Sequence, residues 1–431
     1  MIQSINNPTV VGHLVSRQPE AKPAEMGILV LWMSVIFIPD IPAATLLRYS
    51  CVLYYLSFLV LDAKRTWWAI RISWIMLPLA VWGMLSTFWS PYPGAAFRES
   101  LLFMCSVLVT IVIGCRYTPH QLLKCVLITG VLGTLYAALY LDTANLGGPY
   151  SSKNFLALHM SFAYIALIAV ALDKRTPIVI TAPLLAFAGL AGFIIVKSEA
   201  VSAILLMGGA TLILLAIKLV FIGLAGLRGA RTLLFVFASS ALLLGMIIFF
   251  NFVDPRIVDD FLALFGKDSS LTGRTNLWAA AQQIISDRPI FGLGLEGFWQ
   301  YDVGQAQTLV ENDHREPGTK LGFHNAYLEI GAHLGLVGMA MLIAMIVWAT
   351  FVITLSFLRN PSMISGGFFT LMIITLANSY TESFLAGSLN ITVTVFFGAA
   401  TLYSVWQEPR RVAALGVRTE SSRNQQINVG G

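Results

Sequence analysis

The sequence predicts an all-α polytopic membrane protein, and three observations carry that reading. The chain has 431 residues, of which 57% are hydrophobic and only 11% charged. Soluble domains carry about 25% charged residues. Apolar stretches long enough to cross a hydrocarbon layer of roughly 30 Å recur along the chain. The alternating apolar and polar pattern of a membrane β-barrel is absent. Disorder is excluded as well, because it needs low hydrophobicity and high charge.

About twelve stretches qualify as spans on the rule of roughly 20 apolar residues per helix. They are 26–45, 45–62, 68–90, 97–114, 121–140, 154–172, 177–196, 200–222, 232–252, 325–357, 363–386 and 388–406. Pro39, Asp40 and Pro42 between the first two read as a tight turn. Residues 1–25 are polar, hold three prolines and lack an early apolar core, which suits a disordered cytoplasmic leader better than a signal peptide. The tail, 407–431, is also polar.

Basic residues set the orientation. With the N-terminus inside, the inner loops hold Lys64, Arg65, Arg116, Lys124, Lys174, Arg175, Arg228, Arg231 and Arg359. The tail adds Arg410, Arg411, Arg418 and Arg423. Both termini are therefore expected to be cytoplasmic. The net charge of +5 is mostly this topology signal and gives no reason to expect nucleic acid. Cys51, Cys105, Cys115 and Cys125 fall in spans or on the inner side, so no disulfide is expected.

One segment, 253–324, breaks the pattern on the outer side before the tenth span. Ten of the chain's 22 acidic residues lie within it. So long a loop does more than connect. Thr272 can cap a helix through Arg274, Leu277, Trp278, Ala281, Ile284 and Ile285, apolar at helical spacing. Asp287-Arg288-Pro289 would stop it. Phe291-Gly292-Leu293-Gly294-Leu295-Glu296-Gly297 lacks the strand and the Lys-Ser/Thr of a phosphate loop. It reads as a turn packed close to other backbone.

Ionisable groups at a membrane face are costly, so they are candidates for function. On the outer side these are Arg98, Lys153 with Asn154, Lys197 with Glu199, Arg274, and His324 with Asn325. Such cations suit a polyanionic headgroup: Arg offers a planar fork and Lys a point charge. Simpler roles stand beside each. Arg98 and Lys153 can snorkel, Lys197 can neutralise Glu199, and Arg274 can pair with Asp268. His324 can merely open a helix, and His159 and His333, inside spans, read as packing residues. Asp259-Asp260 reads as a solvated pair, and no metal site is expected.

The residues from Phe323 to Glu329, followed by Gly331-Ala332-His333-Leu334-Gly335-Leu336-Val337-Gly338, resemble the hallmark of the O-antigen ligase and polymerase superfamily (Wzy/WaaL-like). Gly273-Arg274-Thr275 with Trp278, and Pro289 to Gly294, match the same signature. Gly148 to Asn154, and Trp89-Ser90-Pro91 with Arg98, resemble two further recurring stretches. The resemblance implies a membrane glycosyltransferase of the GT-C type in the bacterial inner membrane, with its site facing the periplasm. Its donor would be an undecaprenyl-pyrophosphate-linked oligosaccharide and its acceptor a hydroxyl on lipid A core, on another repeat unit or on a protein. No nucleotide sugar, metal or other cofactor is implied. A chain-length regulator is a partner by resemblance.

By the motif, His324 would be catalytic and Arg274 would bind pyrophosphate, with Lys153, Asn154, Lys197, Arg98 and Asn325 as binding residues. The Lys197-Ser198-Glu199-Ala200 turn lacks the Ser-Arg pair common in ligases. It looks more like the exopolysaccharide polymerases of succinoglycan-type systems. Polymerase therefore leads, ligase is the alternative, and a glycolipid transporter is a third reading. Polar groups gathered at one face, rather than at the midplane, argue against the transporter. Trp278, Trp299 and Tyr301 are candidates for stacking on sugar rings.

Overall fold

The computed structural model describes residues 21–406 apart from 39–40, 42, 142–145, 224–228, 231, 238–239 and 241–273. The predicted leader before residue 21, the Pro39–Pro42 turn, most of the ninth span, Asp259, Asp260, Asp268, the Thr272 cap and the tail lie outside the described residues. Among those described there is no strand.

The helices are α1 Pro23–Phe37, α2 Ala44–Leu61, α3 Ala63–Ile72, α4 Leu77–Leu85, α5 Pro93–Arg116, α6 Pro119–Leu139 and α7 Lys153–Ala171. They continue with α8 Ile178–Lys197, α9 Val201–Ala216, α10 Arg274–Asp287, α11 Gly304–Asn312, α12 Ala326–Arg359 and α13 Met363–Thr381. The last, α14, is Ile391–Trp406. Among the described residues eight helices are long and apolar enough to cross a membrane, or nine if α3 and the segment Trp74–Phe88 form one bent span. Two shorter apolar helices, α1 and α14, stand where the first and last spans are predicted. The described residues are thus all-helical, and their apolar helices indicate a multi-pass membrane protein.

Three spans depart from straight rods. The predicted span 68–90 bends by 73°. Pro78, at the second position of α4, has no N–H to continue a helix from α3. The predicted span 363–386 ends as a helix at Thr381, and Glu382 is extended. The long α12 is broken at Gly335, whose φ is 68° and ψ −175°.

Burial follows position in the bundle. Helix α7 packs against α6, α8, α9 and α13 and is buried along most of its length. Gly130 of α6 lets that packing be close, since a Cβ there would stand 2.8 Å from the Ala163 Cα. Small residues serve membrane helix interfaces in this way. Helices α2 and α9 lie outermost and expose Leu46, Leu53, Val60, Leu205 and Leu212. Such apolar rows would be an aggregation liability in water and are at home against lipid.

The segment from Arg274 to Phe323 has a small core of its own. Leu277, Ala281 and Ile284 of α10 meet Phe298, Trp299, Val310 of α11 and Phe323. Helix α10 appears where the apolar spacing predicts it; α11 has no counterpart in the sequence reading. The cap docks on α12 through α10 and through the glycine turn.

Candidate functional site

The glycine turn fits into the break in α12. Leu293 N donates to Ala332 O at 3.0 Å, and Leu336 N to Pro289 O at 2.7 Å. Gly292, with φ 64°, sits so tightly that a Cβ would stand 2.6 Å from His333 O. A Cβ on Gly335 would run into the Ile290 carbonyl. Close approach of backbone to backbone is therefore what these glycines provide, as the sequence reading expects. Trp82 and Trp89 lock the turn, donating from Nε1 to Leu334 O and Phe291 O, each at 3.0 Å.

His324 lies between the cap and α12, with φ 49°. That left-handed conformation costs a non-glycine residue roughly 1–3 kcal/mol and persists only where neighbours enforce it. They do so on both sides. Phe323 N donates to Glu329 Oε2 at 2.6 Å, and Trp278 Nε1 to Phe323 O at 3.1 Å. Asn325 N donates to Ser383 Oγ at 3.2 Å, and Ser383 Oγ donates in turn to Glu329 Oε2 at 2.9 Å. The other Glu329 oxygen accepts from Trp299 Nε1 at 3.1 Å and lies 3.7 Å from His333 Nδ1. Glu329 is thus a buried clamp that sets the histidine's backbone.

Asn325 caps α12. Its Oδ1 accepts from Tyr327 N and Leu328 N, both at 3.0 Å, and its Nδ2 donates to Tyr380 O at 3.1 Å. Both ends of the amide are engaged within the protein.

Glu382, at the end of α13, is the hub. Its Oε2 lies 2.9 Å from His324 Nδ1. Its Oε1 accepts from Arg274 Nη2 at 2.7 Å and from Asn154 Nδ2 at 2.9 Å. Three segments distant in sequence therefore meet on the carboxylate of a fourth. The Arg274 and Glu382 side chains are 14% and 9% exposed, so water screens their attraction little. The histidine is 27% exposed and borders a cavity of about 570 Å3. Glu99, Lys320, Glu329, Glu382 and Ser383 also line it. Lys320 is ion-paired with Glu296, and Ser388 donates to Glu99. Burial disfavours the Lys320 charge, but Glu296, with Glu99 and Glu329 near, outweighs that and raises its pKa above the ordinary lysine value.

His324, Arg274 and Asn154 are thus brought together, with Asn325 beneath them. Lys153 opens α7 one residue before Asn154 and is half-buried. Lys197 is exposed at the end of α8, 6.0 Å from the Phe193 ring, and does not line the cavity. Among the described residues no ion pair joins it to Glu199. Arg98 is exposed, and its neighbour Glu99 faces the cavity instead. Trp299 is 7% exposed and packed against Phe298 and Phe323, whereas Tyr301 is 72% exposed. His159 is buried, its Nδ1 2.7 Å from Phe155 O and its ring against Phe37.

Sequence reasoning missed Glu382, Glu329 and Glu99. The signal for Glu382 was present: it is an ionisable residue near the end of an apolar stretch. Attention to cations alone passed over it. No group of His, Cys, Asp and Glu suited to a metal occurs among the described residues.

Comparison with known proteins agrees with the resemblance seen in the motifs. The chain is similar to the exopolysaccharide production protein ExoQ of Rhizobium meliloti (strain 1021), with 27% identity over 289 residues. The alignment covers 64% of this chain and 64% of that protein, less than two thirds of the relative's length. The family described as O-antigen ligase (Wzy_C) matches residues 160–343, a range that includes Arg274, His324 and Glu329 and stops short of Glu382.

Proposed function

We propose that this protein is a polysaccharide polymerase. It would transfer an undecaprenyl-pyrophosphate-linked oligosaccharide to a hydroxyl of another lipid-linked repeat unit, at the periplasmic face of a bacterial inner membrane. The observation that carries the reading is the single carboxylate, Glu382, which lines the cavity beside His324 and bonds both that histidine and Arg274 behind it. Similarity to an exopolysaccharide production protein favours the polymer over the lipid A core as product.

The reaction would run as a displacement. The acceptor hydroxyl attacks the anomeric carbon, a new glycosidic bond forms, and the bond to the diphosphate oxygen breaks. The bonding pair leaves with the diphosphate. The hydroxyl proton passes to His324. Glu382 accepts a proton-bearing Nδ1, which leaves the Nε2 lone pair for the acceptor, the logic by which a carboxylate fixes a histidine tautomer. Arg274 would stabilise charge building on the diphosphate. A diphosphate is already a good leaving group, so the displacement is balanced without a metal. The lipid donor would enter between spans near this end, and the acceptor would come in under the 253–324 cap. Twelve spans with both termini cytoplasmic, and a GT-C fold, complete this reading.

The experiment is a deletion strain whose undecaprenyl-linked glycans, secreted polysaccharide and lipopolysaccharide are extracted together. Accumulated single repeat units with loss of long polymer are expected. Long polymer retained on the lipid carrier with bare lipid A core would make the protein a ligase instead.

A further inference from the structure

A second cavity, of about 700 Å3, lies at the far end of the bundle. Helices α7, α12 and α13 each run from one cavity to the other: Asn154, His324 and Glu382 mark one set of ends, and Asp173, Asn360 and Ser362 the other. This is the end predicted to be cytoplasmic. Nothing in the glycosyl-transfer reading uses it.

Three independent features describe its walls. The charge is cationic: Lys174, Arg175 and Lys218 line it against Asp173 alone. Asp173 Oδ1 already accepts from Arg175 N at 2.9 Å. Lys218 Nζ donates to Leu172 O at 2.6 Å, which seats the ammonium in the wall. Two helices also start here. Helix α6 begins behind Thr118 and α13 behind Ser362, each with a capping box, and their first residues border the space. Helix N-termini favour anions through their free N–H groups and dipole. Finally, polar groups are left over. Tyr403 is 8% exposed, and its Oη has no hydrogen-bond partner among the described residues. The buried Trp406 Nε1 has none there either, and both residues line the cavity. Buried donors of this kind are rarely left unmet.

We propose that this cavity binds the phosphate of an anionic lipid headgroup. Lys218, Lys174 and Arg175 would supply charge, the start of α13 would supply N–H groups ahead of the capped Ser365, the start of α6 would add its dipole, and Tyr403 and Trp406 would complete the shell. A lipid is favoured over a free phosphate compound because Leu219 and Val220, next to Lys218, are 74% and 37% exposed and give acyl chains an apolar surface. The segment after Trp406 is a poorer occupant. Its cations Arg410, Arg411, Arg418 and Arg423 outnumber Glu408 and Glu420 and would meet like charge.

The test is native mass spectrometry on the purified full chain in neutral detergent. It is titrated separately with dioleoyl phosphatidylglycerol and dioleoyl phosphatidylcholine. A preference of about tenfold for phosphatidylglycerol is expected: both headgroups carry the phosphate, but the choline ammonium would bring a cation against Lys174, Arg175 and Lys218. Lys174→Gln with Arg175→Gln, both exposed and thus neutral to folding, should abolish most of that preference. Tyr403→Phe should weaken binding of both lipids. Equal retention of the two lipids, or unchanged preference in the double variant, overturns the proposal. So does binding that arises only after truncation past Trp406, since the tail would then be the occupant. Complete displacement of phosphatidylglycerol by millimolar inorganic phosphate, with equal thermal stabilisation by phosphate alone, overturns the lipid assignment.

Discussion

Glu382 holds His324 and Arg274 in place, and its removal should separate two effects. Glu382→Ala leaves a buried guanidinium without its partner, and loss of one member of a buried pair costs about 3–5 kcal/mol. The melting temperature of the purified protein should fall accordingly. Glu382→Gln keeps most hydrogen bonds and should lower the transfer rate more than the stability. Unchanged polymer output from the glutamine variant would remove Glu382 from the mechanism. His324→Ala should reduce transfer by about 10²–10⁴-fold, the usual worth of general base catalysis. Combined with Glu382→Gln it should lose little more, because residues acting as a unit are not additive. Near-normal polymer from His324→Ala would end its role as base. Arg274→Lys should also impair transfer, since a point charge replaces a fork that also reaches Glu382. At this scale the sequence showed His324 and Arg274 through the motif that carries them. Glu382 stayed hidden because its partners lie 58 and 108 residues away.

The break in α12 shows how an element serves the site. Gly335 bends the helix so that the 289–293 turn can bond to it, and this docks the cap above His324. Gly335→Ala combines a backbone conformation worth roughly 1–3 kcal/mol with a clash against Ile290. Both melting temperature and transfer should drop. Gly208→Ala in α9, with nothing within 4 Å of the added Cβ, is the control. It should be neutral or raise stability by about 0.5–1 kcal/mol, as helical Gly→Ala does. Equal effects from the two would show that the break does not hold the cap. Helix α10 was legible because its apolar residues recur at helical spacing. The break at Gly335 was not, because apolar residues continue through it and hydropathy does not register φ. Helix α11 escaped for the opposite reason: only Ala306 and Val310 of its residues are buried, too few to show a period.

For the whole molecule the central question is orientation. Tyr301 in the cap and Lys174 beside the far cavity are exposed and lie at opposite ends. In a background lacking the four cysteines, Tyr301→Cys should react with a membrane-impermeant maleimide added outside the inner membrane. Lys174→Cys should react only after that membrane is opened. The reverse pattern would invert the topology and place the His324 cavity in the cytoplasm. The apolar rows on α2 and α9 need lipid in either case.

Composition pointed this chain to a membrane, because so few charges cannot keep 431 residues dispersed in water, and the length of its apolar stretches pointed to helices. Spacing determined where most spans lie, and motif likeness singled out the histidine and the arginine. Tertiary structure decided which polar residues share a site. It brought Asn154, Arg274 and His324 onto the Glu382 carboxylate and left Lys197 and Arg98 away from that cluster. The reason is physical: hydropathy reports the cost of placing each residue in lipid one at a time. A hydrogen bond between residues on different helices depends on how those helices cross, and that is set by packing.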